Sequence, residues 1–238
     1  MFFKMEKELI VHGINLDEKW MEFKQCKSLP PLTPYAPTWD FKVGISPCND
    51  IDLNSLSNLL LEKEREIKKL PPSTGDDGEP SDGFTGLGSN STTARFQSYN
   101  LLTWDHPEIN KLKSHILKSL FEYNSACGNK TPVELYSYSW YNVLRFNQRI
   151  TPHLHSVYPH CYLSGHFNVQ VNKTSTCYLN PVNIINEPEV IEIENKPGEL
   201  TLFPSYIFHY TTRHYSFNPR ITIAFDINPI HSANGIRL

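Results

Sequence analysis

Three histidines and an arginine carry the chemistry of this chain. His153 and His155 stand two residues apart, His209 lies in the later run PSYIFHYTTRHY, and Arg220 opens RITIAFDI. Residues two apart on a strand project to the same face, so His153 and His155 can reach one ion together. The run around His209 is rich in β-branched and aromatic residues and reads as a second strand. Three protein ligands on one side of a metal ion leave positions open for a small cosubstrate and O₂, which is what a mononuclear non-haem Fe(II) site on a barrel requires. Arg220 adds a planar guanidinium, suited to clamping the carboxylate of an organic acid bidentately. An arginine pointing into a barrel is costly without an anion, and Asp226 lies further along its strand. A bound carboxylate solves this, with the Thr222 hydroxyl on the same face as a second hydrogen-bond donor.

Other histidines compete for the metal. His160 follows Pro159 in a turn and is the rival to His155 as the ligand that completes the set. His166 shares a strand face with Asn168 and Gln170 and reads as a polar lining or surface residue. His214 sits near a strand end and reads as exposed, and His12, His106, His115 and His231 as surface residues. With His155 where such sites usually place a carboxylate, the centre is one charge more positive. That could tighten an anionic cosubstrate or favour another metal such as Zn(II).

These side chains need a scaffold. From Glu134 onward the chain is nearly all short β segments punctuated by Gly, Pro and Asn. Strands are predicted near 134–147, 162–172, 176–180, 189–194, 199–203, 206–213 and 220–227. The pattern predicts a mainly β fold, a double-stranded β-helix of jelly-roll, cupin-like type, with packing helices from the N-terminal half. One helix is expected over 52–70, with Leu53, Leu56, Leu60 and Ile67 on one stripe and Pro71-Pro72 as its stop. A second is expected over 105–123, with Asp105 and Glu108 as a capping box. Residues 1–51 read as irregular, and the four prolines of SLPPLTPYAPTWDF point to an extended surface segment. Residues 71–94, dense in Gly, Pro, Ser and Asp, read as a long loop, with 73–94 as a flap at the substrate mouth. The organisation expected is a 1–94 arm, helix and Gly-rich loop and a 95–238 core with its supporting helix, forming one compact domain.

Composition limits the alternatives. At 39% hydrophobic and 12% aromatic the chain can bury a real core. A net charge of −3 gives no bulk attraction to nucleic acid or anionic membrane. No stretch approaches a membrane span, and MFFKMEKELIVHG places charge too close behind its phenylalanines for a signal peptide. Five scattered cysteines without CxxC spacing favour free thiols in a reducing, cytoplasmic setting.

The stretches TTARFQSYNLLTWDHPEINKLKSHI, PHLHS, YLSGHFNV, PGELTLFPSYIFHY and NPRITIAF together resemble the Fe(II)/2-oxoglutarate-dependent dioxygenases. The likeness is to their prolyl-hydroxylase-like branch and to oxygenases of cyanobacterial viruses. The resemblance implies that His153, His155 and His209 hold iron and that Arg220 and Thr222 hold the distal carboxylate of 2-oxoglutarate. It adds Tyr162 as a further cosubstrate contact. The implied activity uses Fe(II), 2-oxoglutarate and O₂. It decarboxylates 2-oxoglutarate to succinate and CO₂ while hydroxylating a substrate, with a protein or peptide side chain expected, in the host cytoplasm if the chain is viral. Two alternatives stand beside it: a three-His cupin metalloenzyme that does not use 2-oxoglutarate, and an inactive metal-binding module.

Overall fold

The computed structural model describes residues 20–71, 85–87, 92–93, 99–182, 190–231 and 235–238. Two early strands, β1 (Glu22–Lys27) and β2 (Asp40–Pro47), precede helix α1 (Leu53–Ile67) and helix α2 (Pro107–Ala126). Then come β3 (Tyr136–Leu144), β4 (Leu163–Gln170), β5 (Ser175–Leu179), β6 (Val190–Glu194) and β7 (Glu199–Pro204). The chain ends with β8 (His209–Thr211), β9 (Arg220–Asn228) and β10 (Ile236–Arg237). They build a larger antiparallel sheet in the order β1-β2-β7-β4-β9-β3-β10 and a smaller one in the order β6-β5-β8. This is the expected mainly β, jelly-roll barrel. Among the described residues no helix is long and apolar enough to cross a membrane.

Alternation along the strands makes two cores. Ile221, Ile223, Phe225 and Ile227 of β9 face outward from the barrel and pack with Leu56 and Leu60 of α1 and Ile109, Leu112 and Ile116 of α2. The other face of the larger sheet looks toward the smaller one. There Phe41, Val43, Phe203, Tyr178 and Ile193 form a second apolar cluster, with Cys26 of β1 and Ile207. Gly165 of β4 lets the sheet pack this closely, since a Cβ there would lie 2.5 Å from both the Phe225 ring and the Thr201 carbonyl.

The N-terminal region differs from the sequence reading. Residues 22–27 and 40–47 are not irregular: β2 pairs in register with β7 and with β1, extending the main sheet. EFKQCK and DFKVGISP are too short and too interrupted by charge to show alternation, and their partners are distant in sequence. The proline-rich segment between them is exposed, as expected, with Leu32 97% accessible.

Helix α1 starts where Asp52 accepts hydrogen bonds from the Asn54 and Ser55 N–H groups, at 3.0 and 3.1 Å. The cap of helix α2 lies one residue later than expected. His106 is its cap, its Nδ1 accepting from the Glu108 N–H, so the Asp105 capping box does not form. Glu108 instead accepts from the backbone N–H of Asp52 at 2.7 Å and ties the two helix starts together. Most of the loop assigned to a flap lies outside the described residues. Of its described part, the Thr85 carbonyl accepts from the Thr151 N–H at 3.0 Å.

Candidate metal centre

His153 and His209 face each other across an isolated antiparallel bridge, each N–H donating to the other's carbonyl, at 3.0 and 2.9 Å. Their ring centroids are 4.4 Å apart. His155 is held by its N–H donating to the Ser205 carbonyl at 3.0 Å. Its ring lies 5.4 Å from that of His153 and 5.1 Å from that of His209. One ligand atom from each of the three imidazoles lies within 4.8 Å of the others.

The far side of every ring is already engaged. His153 Nδ1 donates to the Thr151 carbonyl and His209 Nδ1 to the Ile207 carbonyl, both at 2.9 Å. His155 Nδ1 donates to the Asp226 carboxylate. These oxygens only accept, so Nδ1 carries the proton in each ring and Nε2 keeps its lone pair. Metal-binding histidines are held and oriented in this way. Burial, with the neighbouring His155, lowers His153 to about 4, and burial pushes His209 well below its ordinary value. Both are therefore neutral donors at pH 7, as ligation requires. Three convergent, oriented imidazoles fit a divalent transition metal.

The histidines line a cavity of about 310 Å³ that also receives Arg220, Thr222 and Asp226 from alternate positions of β9. Arg220 is 1% exposed. Its Nε donates to Thr174 Oγ1 at 3.1 Å and its Nη1 to Thr222 Oγ1 at 3.3 Å. Among the described residues no carboxylate pairs with it. Burial lowers it to about 10, so it remains a cation at neutral pH. A buried cation whose partners among the described residues are two hydroxyls fits an incoming carboxylate.

His160 is not in the cluster. It stacks on Tyr158, centroids 5.6 Å apart, in an adjoining groove. Tyr162 does not reach the cavity. It precedes β4, where strand alternation does not yet hold, and its hydroxyl donates to Asn124 Oδ1 at 2.9 Å beside the end of α2. His214, expected at the surface, is buried, with Nε2 at 2.7 Å from the Asn218 carbonyl. His115 is half-buried beside Ser46 rather than exposed, and burial lowers it to about 4.

His166, read as a polar lining or surface residue, lines the cavity as a buried ring, driven to about 3 by burial and by the Arg220 charge. Other residues of the site escaped the sequence reading. Asn142 lies beside Thr222 in register, and its buried Oδ1 has no hydrogen-bond partner. Thr174 supports Arg220, and Asp226 supports His155. Asp226 shares the parity of Arg220, Thr222 and Ala224 and lines the cavity with them. Its partner is separated from it by 71 positions, a pairing that no local spacing reveals.

Comparison with known proteins accords with this geometry. Residues 138–226 match the family model described as "Putative 2OG-Fe(II) oxygenase". No curated protein matches the chain. Among solved structures, the chain is similar to a prolyl hydroxylase from Trichoplax adhaerens in complex with a hypoxia inducible factor peptide fragment. That likeness has 13% identity and a TM-score of 0.51, covering 78% of this chain and 83% of that one. AviO1 from Streptomyces viridochromogenes Tue57 gives 11% identity and a TM-score of 0.52, covering 79% and 90%. The non-haem α-ketoglutarate-dependent carbocyclase SnoK gives 10% and 0.52, covering 82% and 91%. At these identities the shared property is the fold. The matched family segment contains all three histidines, Arg220 and Thr222, so the part of the chain that carries the site is similar to enzymes that work with Fe(II), 2-oxoglutarate and O₂.

Proposed function

We propose that His153, His155 and His209 hold Fe(II) through Nε2, and that Arg220 and Thr222 bind the distal carboxylate of 2-oxoglutarate. The single observation that carries this is one cavity holding three Nε2 lone pairs and a buried arginine without a counter-charge among the described residues. Bound Fe(II), with 2-oxoglutarate and O₂, supplies an oxidative decarboxylation to succinate and CO₂ coupled to hydroxylation of a substrate. The chain's residues do the binding. The Nδ1 hydrogen bonds fix each imidazole before metal arrives. Arg220 sets the orientation of the cosubstrate, with Thr222 and Thr174 holding the guanidinium in plane. Phe203 and Trp140 keep part of the wall apolar, which strengthens each charge interaction inside it.

The substrate in this reading is a protein or peptide side chain, in the manner of a prolyl hydroxylase. It is supported by the motif likeness and by the shared fold with a hydroxylase captured on a peptide. The viral resemblance and a host-cytoplasm location rest on the sequence motifs alone. So does the division into a 1–94 arm and a 95–238 core. The all-histidine ligand set favours one competing reading, a three-His cupin metalloenzyme without 2-oxoglutarate. Arg220 separates the two, because only a carboxylate-bearing cosubstrate needs it.

The test is anaerobic addition of Fe(II) and then 2-oxoglutarate to the apoprotein. A weak visible charge-transfer band that appears only with both, and is lost in Arg220→Ala, is the expected result. Iron binding with no response to 2-oxoglutarate favours the competing cupin.

A further inference from the structure

We infer that Asp226 supplies through His155 the negative charge that a carboxylate ligand would otherwise place directly on the metal. This rests on the reading of His155 as a ligand. All three convergent groups are imidazoles, so the donor set itself is neutral. A carboxylate nevertheless stands directly behind one ring. Asp226 Oδ1 accepts the His155 Nδ1 proton, and the same oxygen accepts from Ser164 Oγ at 2.6 Å. Ser164 Oγ is also hydrogen-bonded to Ser205 Oγ at 2.8 Å. A chain Ser205–Ser164–Asp226–His155 results, anchored on β9 and β4, where Ser164 and Asp226 are directly opposed.

The other two rings end on neutral backbone carbonyls. Of the three rings only His155 has a carboxylate side chain as its acceptor, and His155 is the position where a carboxylate ligand is usual. A carboxylate behind the ring raises the donor strength of Nε2 and fixes its direction. It also returns to the centre the charge that replacing a carboxylate by histidine removes. Asp226 is thus a positioning residue, acting through the ring it holds.

The experiment is a double-mutant cycle read by metal affinity. Mn(II) and Co(II) dissociation constants are measured for the full chain, for Asp226→Asn, for His155→Asp and for the double variant. Asparagine preserves shape and can still accept from Nδ1–H, so Asp226→Asn removes charge and leaves orientation. We expect it to weaken binding about 10–100-fold in the natural background. In the His155→Asp background, where a carboxylate can reach the metal itself, the same change should be neutral or favourable. An Asp226→Asn effect below about twofold, or the same loss in both backgrounds, means that Asp226 only braces β9 against β4. If His155→Asp does not fold, the Co(II) ligand-field bands of Asp226→Asn decide. They shift if the charge reaches the metal and stay in place if the role is structural. His153→Ala serves as the separate control. If it leaves metal affinity intact, the ligand assignment fails, independently of Asp226.

Discussion

Arg220 is the residue hardest to account for without a ligand. Taking a guanidinium out of water carries a large penalty that two threonine hydroxyls only partly offset. Replacing it with an apolar residue of similar reach should therefore leave the apoprotein as stable or more so, while destroying cosubstrate binding. We expect Arg220→Leu to melt at or above the natural chain when ligand-free. The Mn(II)-loaded natural chain should gain thermal stability with 2-oxoglutarate, and Arg220→Leu should gain none. A variant that melts lower without ligand and still responds to 2-oxoglutarate would contradict the assignment. The histidines give the complementary case. Alanine at 153, 155 or 209 should abolish metal binding at micromolar concentration, whereas His160→Ala should leave it within about twofold, since His160 stacks on Tyr158 outside the cluster. Titration with Co(II) checks both. These residues were legible in the sequence because parity and order suffice to bring them to one face. The reading erred where a contact depends on the third dimension, as with Tyr162 turning toward Asn124 and Asp226 meeting His155.

At the scale of elements, β9 is where the barrel and its chemistry meet. One face carries Arg220, Thr222, Ala224 and Asp226 into the cavity, and the other carries four core residues against the helices. Anything that shifts its neighbour β4 should disturb both faces. In Gly165→Ala the new methyl would meet the Thr201 carbonyl and the Phe225 ring at 2.5 Å. Neither is a flexible tip, so a loss of roughly 1–3 kcal/mol is expected by denaturant unfolding. The end of β3 is joined to α1 by Glu64, whose buried carboxylate accepts from Thr92 and pairs with Arg145 at 2.7 Å and Lys68 at 3.1 Å. Burial alone would raise this carboxyl, but hydrogen bonds from Arg145, Thr92 and Lys68 outweigh it and hold the pKa below its ordinary value. A depressed pKa means that the stabilisation is present above the unfolded-state value and lost as pH falls through the folded one. Glu64→Gln should therefore cost about 1–3 kcal/mol at pH 7 and progressively less below about pH 4. A pH-independent loss would assign the effect to packing. Periodicity revealed α1, α2 and the later strands because each has a buried face long enough to repeat. It missed β1 and β2, and it placed the start of α2 at Asp105 because Glu108 looks the same in sequence whether it caps its own helix or reaches Asp52.

For the whole molecule, the placement of β1 and β2 sets what can be removed. The larger sheet does not begin at β3. β2 pairs with β7, and Phe41 and Val43 stand at 5% and 0% exposure in the cluster between the sheets, with Cys26 of β1. Burial of side chains of this size contributes about 1.5–3 kcal/mol each, against a net stability of roughly 5–15 kcal/mol for a domain. Losing Phe41 and Val43 together consumes a large part of that margin. It also leaves β7 as a bare edge, open to pairing between copies. A chain beginning at residue 95 therefore should not behave as an autonomous barrel. We expect removal of residues 1–47 to give protein that lacks a cooperative thermal transition, binds hydrophobic dyes and aggregates. Phe41→Ala in the full chain should lower stability by about 3–5 kcal/mol while leaving the three-histidine cluster able to bind Co(II) below its melting temperature. A truncated chain that melts cooperatively near the full-length midpoint and binds metal with unchanged affinity would show that the first two strands decorate the sheet rather than complete it.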